Sequence, residues 1–243
     1  MAGVGLFDKQ AEVYLSVRPK YPSDWFSRLS ALTPHHSLAW DAGTGNGQAA
    51  MGVAEFYDQV IATDVSEPQI SLSMPHPKVK YVHTPPSMSD DELIAMFGGE
   101  GMVDLGTVAT AVHCVELQAF YYRQCPSFLE LAMRRFLEST APYRNPGTSF
   151  VRDEYKTLPF PFESVGSLGS EGEPLMLEMK QEASFEVCLG VIKSWSLIST
   201  AKEKGVDLLN EGVVKELETA WGGTEVIRTL NYNAFMLVGK VPN

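Results

Sequence analysis

The sequence has little of several things that would narrow its role. It holds 3 cysteines in 243 residues, Cys114, Cys125 and Cys188, an odd number with no Cys-x-x-Cys pair. That usage fits a reducing compartment better than a disulfide framework. Basic residues are outnumbered, 19 Lys and Arg against 30 Asp and Glu, for a formal charge of −11. Such a chain repels a polyanion, and the basic pair Arg134 and Arg135 is too small to reverse this. No apolar run approaches the roughly 18 residues of a membrane span, and no basic segment leading into an apolar stretch opens the chain. Nucleic acid and membrane are therefore not expected as partners, and a cytoplasmic location is the default. The 20 glycines and 15 prolines are spread out, so no linker, low-complexity tract or internal repeat stands out. At this length a single domain with an elaborated cap is expected over 1–243.

What is present begins with helical spacing. In "FDKQAEVYLSVRPKYP", Phe7, Ala11, Tyr14 and Leu15 share one side before Pro19 and Pro22 stop the helix. A second helix is predicted from a cap at Ser23, with Trp25, Phe26, Leu29 and Leu32 on one side. The period then changes. "SLAWDAG" and "QVIATDVS" read as strands around a helix in "GQAAMGVAEFY". "VKYVHTP" and "GMVDLGTVATAVH", Gly101 to His113, read as two further strands around a capped helix in "SDDELIAMF". Four strands alternating with helices predict an α/β fold, a mostly parallel sheet with helices on both faces. Beyond His113 the pattern is helical around Pro126, with a short β run at "FPFESVGS", helices from Ser184 to Trp221, and a closing strand or hairpin in "VIRTLNYNAFMLVGKV".

The most informative stretch is "LAWDAGTGNGQAA", where Gly43, Gly45 and Gly47 follow the acid Asp41. Glycines at a strand-to-helix turn let a ligand approach the backbone and free N–H groups. Gln48 follows Gly47, whereas a P-loop requires Gly-Lys-Ser/Thr and a dinucleotide fingerprint requires a glycine at that position. A nucleoside triphosphatase and an NAD enzyme are thus disfavoured. The next strand ends in Asp64, where a carboxylate can accept from both ribose hydroxyls.

The pattern Asp41-x-Gly43-x-Gly45-x-Gly47 resembles motif I of class I S-adenosylmethionine-dependent methyltransferases. Over nearly the whole chain, "FDKQAEVYLSVRPKYP", "DAGTGNGQAA", "IATDVSE", "DEYKTLPFPFESVG" and "TAKEKGVDLLNEGVVKELETAWGG" are similar to a plant member of the trans-aconitate-methyltransferase-like group, methyltransferase type 11. The resemblance implies a Rossmann-like sheet (37–126), N-terminal lid helices (1–36), a helical cap insertion (184–221) and S-adenosyl-L-methionine as cofactor. It gives Tyr14, Arg18 and Tyr21 lid roles and puts Asp41, Gly43, Gly45 and Asp64 at the methionine end and ribose. Residues Pro85 to Met88 fall near adenine, although the usual acid there is missing. Val65, Ser87 and Thr110 complete the implied cofactor contacts. On residues alone, Tyr14 and Trp25 read as helix-face core, whereas Arg18, at the point where its helix must end, is placed to reach a carboxylate.

Acceptor chemistry is less legible. His113 follows the fourth strand, at the edge where open α/β sheets bind ligands, and could orient an acceptor or take up a proton. The next residue is Cys114 where the family usually has an aromatic. Phe185 and Trp195 are the implied lining of an acceptor pocket, and the acceptor is expected to be a small molecule, with a carboxylate implied by the name-giving family member. No metal is expected. Compared with the family, about twenty residues carrying a turn and a fifth, interior strand are absent after "AFYYRQC". That absence leaves two readings: a working enzyme with a rearranged sheet, as monomer or homodimer, or a degenerate relative that binds cofactor or partners without turnover.

Overall fold

The computed structural model describes residues 20–109, 127–145, 147–166 and 168–242. They fall into two compact units, the described residues up to 109 in the first and those from 127 in the second, and each is taken by itself.

The first unit is a four-stranded parallel sheet in the order β3-β2-β1-β4. Its strands are β1 (Leu38–Ala42), β2 (Gln59–Asp64), β3 (Val79–His83) and β4 (Leu105–Thr107). Helix α1 (Ser23–Ser30) precedes them, and α2 (Gln48–Ala54), α3 (Glu67–Ser71) and α4 (Asp90–Met96) connect them. β1 pairs with β2 from Leu38↔Gln59 to Ala42↔Thr63 and with β4 from Ala39↔Leu105 to Asp41↔Thr107. Side chains alternate across a strand, and that alternation decides what covers each face. Ala39, Val60 and Ala62 are fully buried with Ala49, Ala50, Val53 and Ala54 of α2; alanines on both sides let helix and sheet approach closely. Trp40, on the opposite face, has its ring 5.1 Å from that of Phe97, which caps the C-terminus of α4, and its indole N–H donates to Thr63 Oγ1 at 2.9 Å. The sheet is therefore covered on both faces, as expected.

Three local expectations are revised. Ser23 is the first helical residue of α1, with Pro22 at the N-cap and no side-chain cap. Leu32 lies past the end of α1 and is exposed, while Trp25 and Phe26 are buried. β4 spans only Leu105–Thr107, because Val108 already stands exposed beyond it. The capped helix is as predicted: Ser89 accepts from the Glu92 N–H, and the Glu92 carboxylate accepts from the Ser89 N–H, a reciprocal capping box.

The second unit contains α5 (Ser127–Ser139), a 3-10 turn (Ala141–Tyr143), α6 (Thr148–Arg152), β5 (Glu163–Ser164), β6 (Leu175–Ala183), α7 (Phe185–Lys193), α8 (Ser196–Glu203), α9 (Glu211–Trp221), β7 (Arg228–Met236) and β8 (Gly239–Lys240). The helical stretch expected from Ser184 to Trp221 is thus three helices. Ser184 caps the first by accepting from the Val187 N–H, Asn210 caps the third by accepting from the Val213 N–H, and Gly222 ends it in the left-handed region. The C-terminal strand β7 does not fold back on β8. It pairs antiparallel with β6 from Leu175↔Met236 to Ala183↔Arg228, and β8 pairs with β5. β6 itself was not expected from the sequence. Among the described residues the parallel sheet has four strands; residues 110–126, where the family pattern departs, lie outside the description.

Gly52 on α2 offers a test of this packing. A Cβ there would lie 2.1 Å from the Phe26 ring of α1. Gly52→Ala should therefore destabilise the protein by about 1–3 kcal/mol through overpacking, although alanine is the better helix former by about 1 kcal/mol. In a Phe26→Ala background the same change should become neutral or stabilising. Urea titrations showing the same cost in both backgrounds would refute the contact.

Candidate functional site

The carboxyl ends of all four parallel strands lie at one edge of the sheet, where open α/β sheets bind ligands. The loop from β1 to α2 carries Gly43, Gly45 and Gly47, all at positive φ (64°, 57° and 96°). At Gly47 this backbone is unavailable to most side chains, and a Cβ would also meet the Tyr81 hydroxyl at 2.2 Å. The loop is drawn over β2 by two bonds: the Thr44 N–H donates to Thr63 O at 2.9 Å, and the Gly45 N–H to Asp64 Oδ2 at 2.7 Å. The other Asp64 oxygen accepts from the Ser66 N–H at 2.8 Å. Each oxygen keeps a further lone pair for a hydroxyl.

Asp41 has a different setting from the one its motif suggests. It is fully buried and its oxygens are taken by its own unit. Oδ2 accepts from the Thr44 hydroxyl at 2.6 Å, Oδ1 from the Thr107 hydroxyl at 2.7 Å, and the Ala50 N–H donates to it as well. The carboxylate thus locks loop, β4 and α2 together. Burial pushes its pKa up to about 6, against the lowering effect of the Thr107, Thr44 and Ala50 bonds; the Asp64 charge adds a smaller upward push. Burial, and then the Asp41 charge, also raise the Tyr81 phenol.

Neighbouring ends are tied to the same edge. The Thr84 N–H donates to Asp64 O at 2.9 Å, and the His83 ring bonds Val65 O at 3.1 Å. Val65 itself is 48% exposed. Ser87 is exposed in a turn closed by the Met88 N–H on Pro85 O at 2.9 Å. Asp41, Gly43, Gly45, Asp64, Val65 and the Pro85–Met88 turn therefore converge. Tyr21 is half-buried, its ring 5.9 Å from Trp25 and 6.3 Å from Phe26. Tyr14, Arg18, Thr110, His113 and Cys114 lie outside the described residues.

In the second unit, Phe185 packs 6.3 Å from Trp221, and Trp195 packs 6.3 Å from Phe136. Only 5% of Phe185 and 1% of Trp195 is exposed, so both rings serve the core of that unit. One residue with a distinctive setting was missed: Asn46, fully enclosed between two of the loop glycines. Its signal was a polar side chain at a loop position that the glycine pattern leaves free.

No family model matches the chain. It is 24% identical to a provisionally named methyltransferase of Dictyostelium discoideum, over 96% of this chain and 94% of that protein. The alignment runs over 262 positions, longer than the 243-residue chain, so that relative carries residues with no counterpart here. A shorter match, 34% over 67 residues, joins it to the methyltransferase pgmE of Aspergillus terreus, over 25% of this chain and 20% of that protein. Among solved structures, a provisionally named type II methyltransferase from Anaeromyxobacter dehalogenans superposes with a TM-score of 0.64 at 26% identity, covering 89% of this chain and 94% of that one.

The buried Asp41 carboxyl predicts a pH dependence of stability. Its folded-state pKa of about 6 lies above the ordinary 3.8. Its contribution is therefore full below about pH 4 and is lost as pH rises through 6, by about 3 kcal/mol. Denaturant unfolding between pH 4 and 7 should show that decline in the native protein relative to Asp41→Asn. Parallel curves would show that Asp41 titrates as an exposed carboxylate does.

Proposed function

We infer that this chain, with its Rossmann-like class I methyltransferase fold and methyltransferase relatives, is an S-adenosylmethionine-dependent methyltransferase acting on a small-molecule acceptor. The observation that carries the reading is the glycine loop held over the end of β2 by Asp64, beside exposed Val65. The residues present fit the cofactor. Gly47 presents bare backbone against Tyr81, Asn46 holds a buried amide with no partner in the protein, and Asp64 has acceptor capacity left on both oxygens. Asp64 would hold the ribose, the loop backbone the methionine end, and Val65 with the Pro85–Met88 turn the adenine. Tyr14, Arg18 and Tyr21 would cover the ligand.

Once bound, the cofactor supplies a methyl group already activated by its sulfonium. The chain's own tasks are then alignment and exclusion of water, with His113 orienting the acceptor or taking up its proton. By the resemblance of its motifs we place the chain in the trans-aconitate-methyltransferase-like, type 11 group of plants, with a carboxylate as acceptor and a cytoplasmic location. Among the described residues no helix is long and apolar enough to cross a membrane. A second reading, a relative that binds cofactor or partners without turnover, draws on the residues lacking a counterpart here.

Calorimetric titration with S-adenosylmethionine and S-adenosylhomocysteine tests the reading. Micromolar binding is expected, weakened at least about tenfold in Asp64→Ala by loss of a charged acceptor. A folded sample that gives neither heat nor thermal shift would overturn it.

A further inference from the structure

Most buried polar side chains of the first unit have partners. The Ser30 hydroxyl donates to Ser27 O, Thr44 to Asp41, and the Trp40 indole to Thr63, while Ser66 Oγ accepts from the Gln69 N–H. Asn46 is 1% exposed, and neither Oδ1 nor Nδ2 has a hydrogen-bond partner. Each unpaired buried group costs about 1–3 kcal/mol. Asparagine is often chosen for its tolerance of left-handed backbone, but among the described residues the non-glycine ones with positive φ are Glu154 and Tyr155. Backbone geometry therefore does not call for asparagine at 46, and a leucine there would carry no unpaired polar atoms.

Position supplies the alternative. Asn46 stands between Gly45, whose N–H is held by Asp64, and Gly47, whose backbone lies against Tyr81. The Tyr81 hydroxyl is likewise buried and unpartnered. Asn46 lies on the loop that the proposed function assigns to the cofactor and the Tyr81 hydroxyl lies against it, and the inference rests on that reading. A primary amide offers a donor and an acceptor side by side, the complement of a zwitterionic amino acid: its N–H groups suit a carboxylate, its oxygen an ammonium. We propose that Asn46 determines specificity for the amino-acid end of the adenosyl cofactor, its amide turning to that end as the ligand seats.

The test compares two ligands on native protein, Asn46→Ala and Asn46→Leu by calorimetry: S-adenosylhomocysteine, and methylthioadenosine, which lacks the amino and carboxylate groups. Thermal unfolding of each ligand-free protein is measured alongside. Affinity for S-adenosylhomocysteine should fall roughly ten- to hundredfold while that for methylthioadenosine holds. The ligand-free midpoint should stay level or rise in Asn46→Leu, because an unpaired amide is removed. Unchanged affinity for S-adenosylhomocysteine, an equal loss for both ligands, or a lowered midpoint in both variants would overturn the inference while native binding leaves the proposed function standing. Native protein that binds neither ligand would overturn both.

Discussion

One buried carboxylate organises the candidate site. Asp41, next to last in β1, has no contact with water, and its oxygens gather a threonine from the glycine loop, a threonine from β4 and a backbone N–H from α2. Removing a single partner from a buried charged group leaves that group under-solvated, at a cost well above that of an ordinary hydrogen bond. The turn, the helix start and the neighbouring strand are therefore tied to one atom pair. Asp64 performs the complementary task from the neighbouring strand, holding the loop from β2 while remaining partly accessible. One acid sets the loop's base and the other its overhang.

This division explains how a motif can be right while the role of a residue in it differs. An acid, then alternate glycines, is visible in the letters; whether the acid faces a ligand or the protein depends on which hydroxyls lie nearby. Thr107 is 66 residues away in the chain, and no local pattern announces such a partner. Asn46 went unnoticed for a related reason. Its significance lies in having no partner, a property of the packed structure.

The parallel core was legible because its strands are short apolar runs bounded by turns, the pattern that burial on both faces demands. β2, buried over four successive positions, is the plainest instance. β6 was not legible. Its outward positions carry Met176, Glu178, Lys180 and Glu182, and glutamate and lysine are poor strand formers on their own. Pairing with β7 overrides that preference. The start of α1 was misread by one residue because Ser23 is a good capping residue, yet Pro22 occupies the cap and Ser23 begins the helix.

The antiparallel pairing of β6 and β7 reaches the residues that flank the three helices between them, Ala183↔Arg228. The chain leaves and re-enters the paired strands at points only about 5 Å apart. A segment anchored in that way is nearly closed on itself, and doubling its length would cost only about 0.6 kcal/mol in closure entropy. Evolution can lengthen, shorten or exchange such an excursion wholesale without re-registering the strands. Recombination between relatives should leave crossover points at Ser184 and Ile227 more readily than within the tightly tied turns of the first unit.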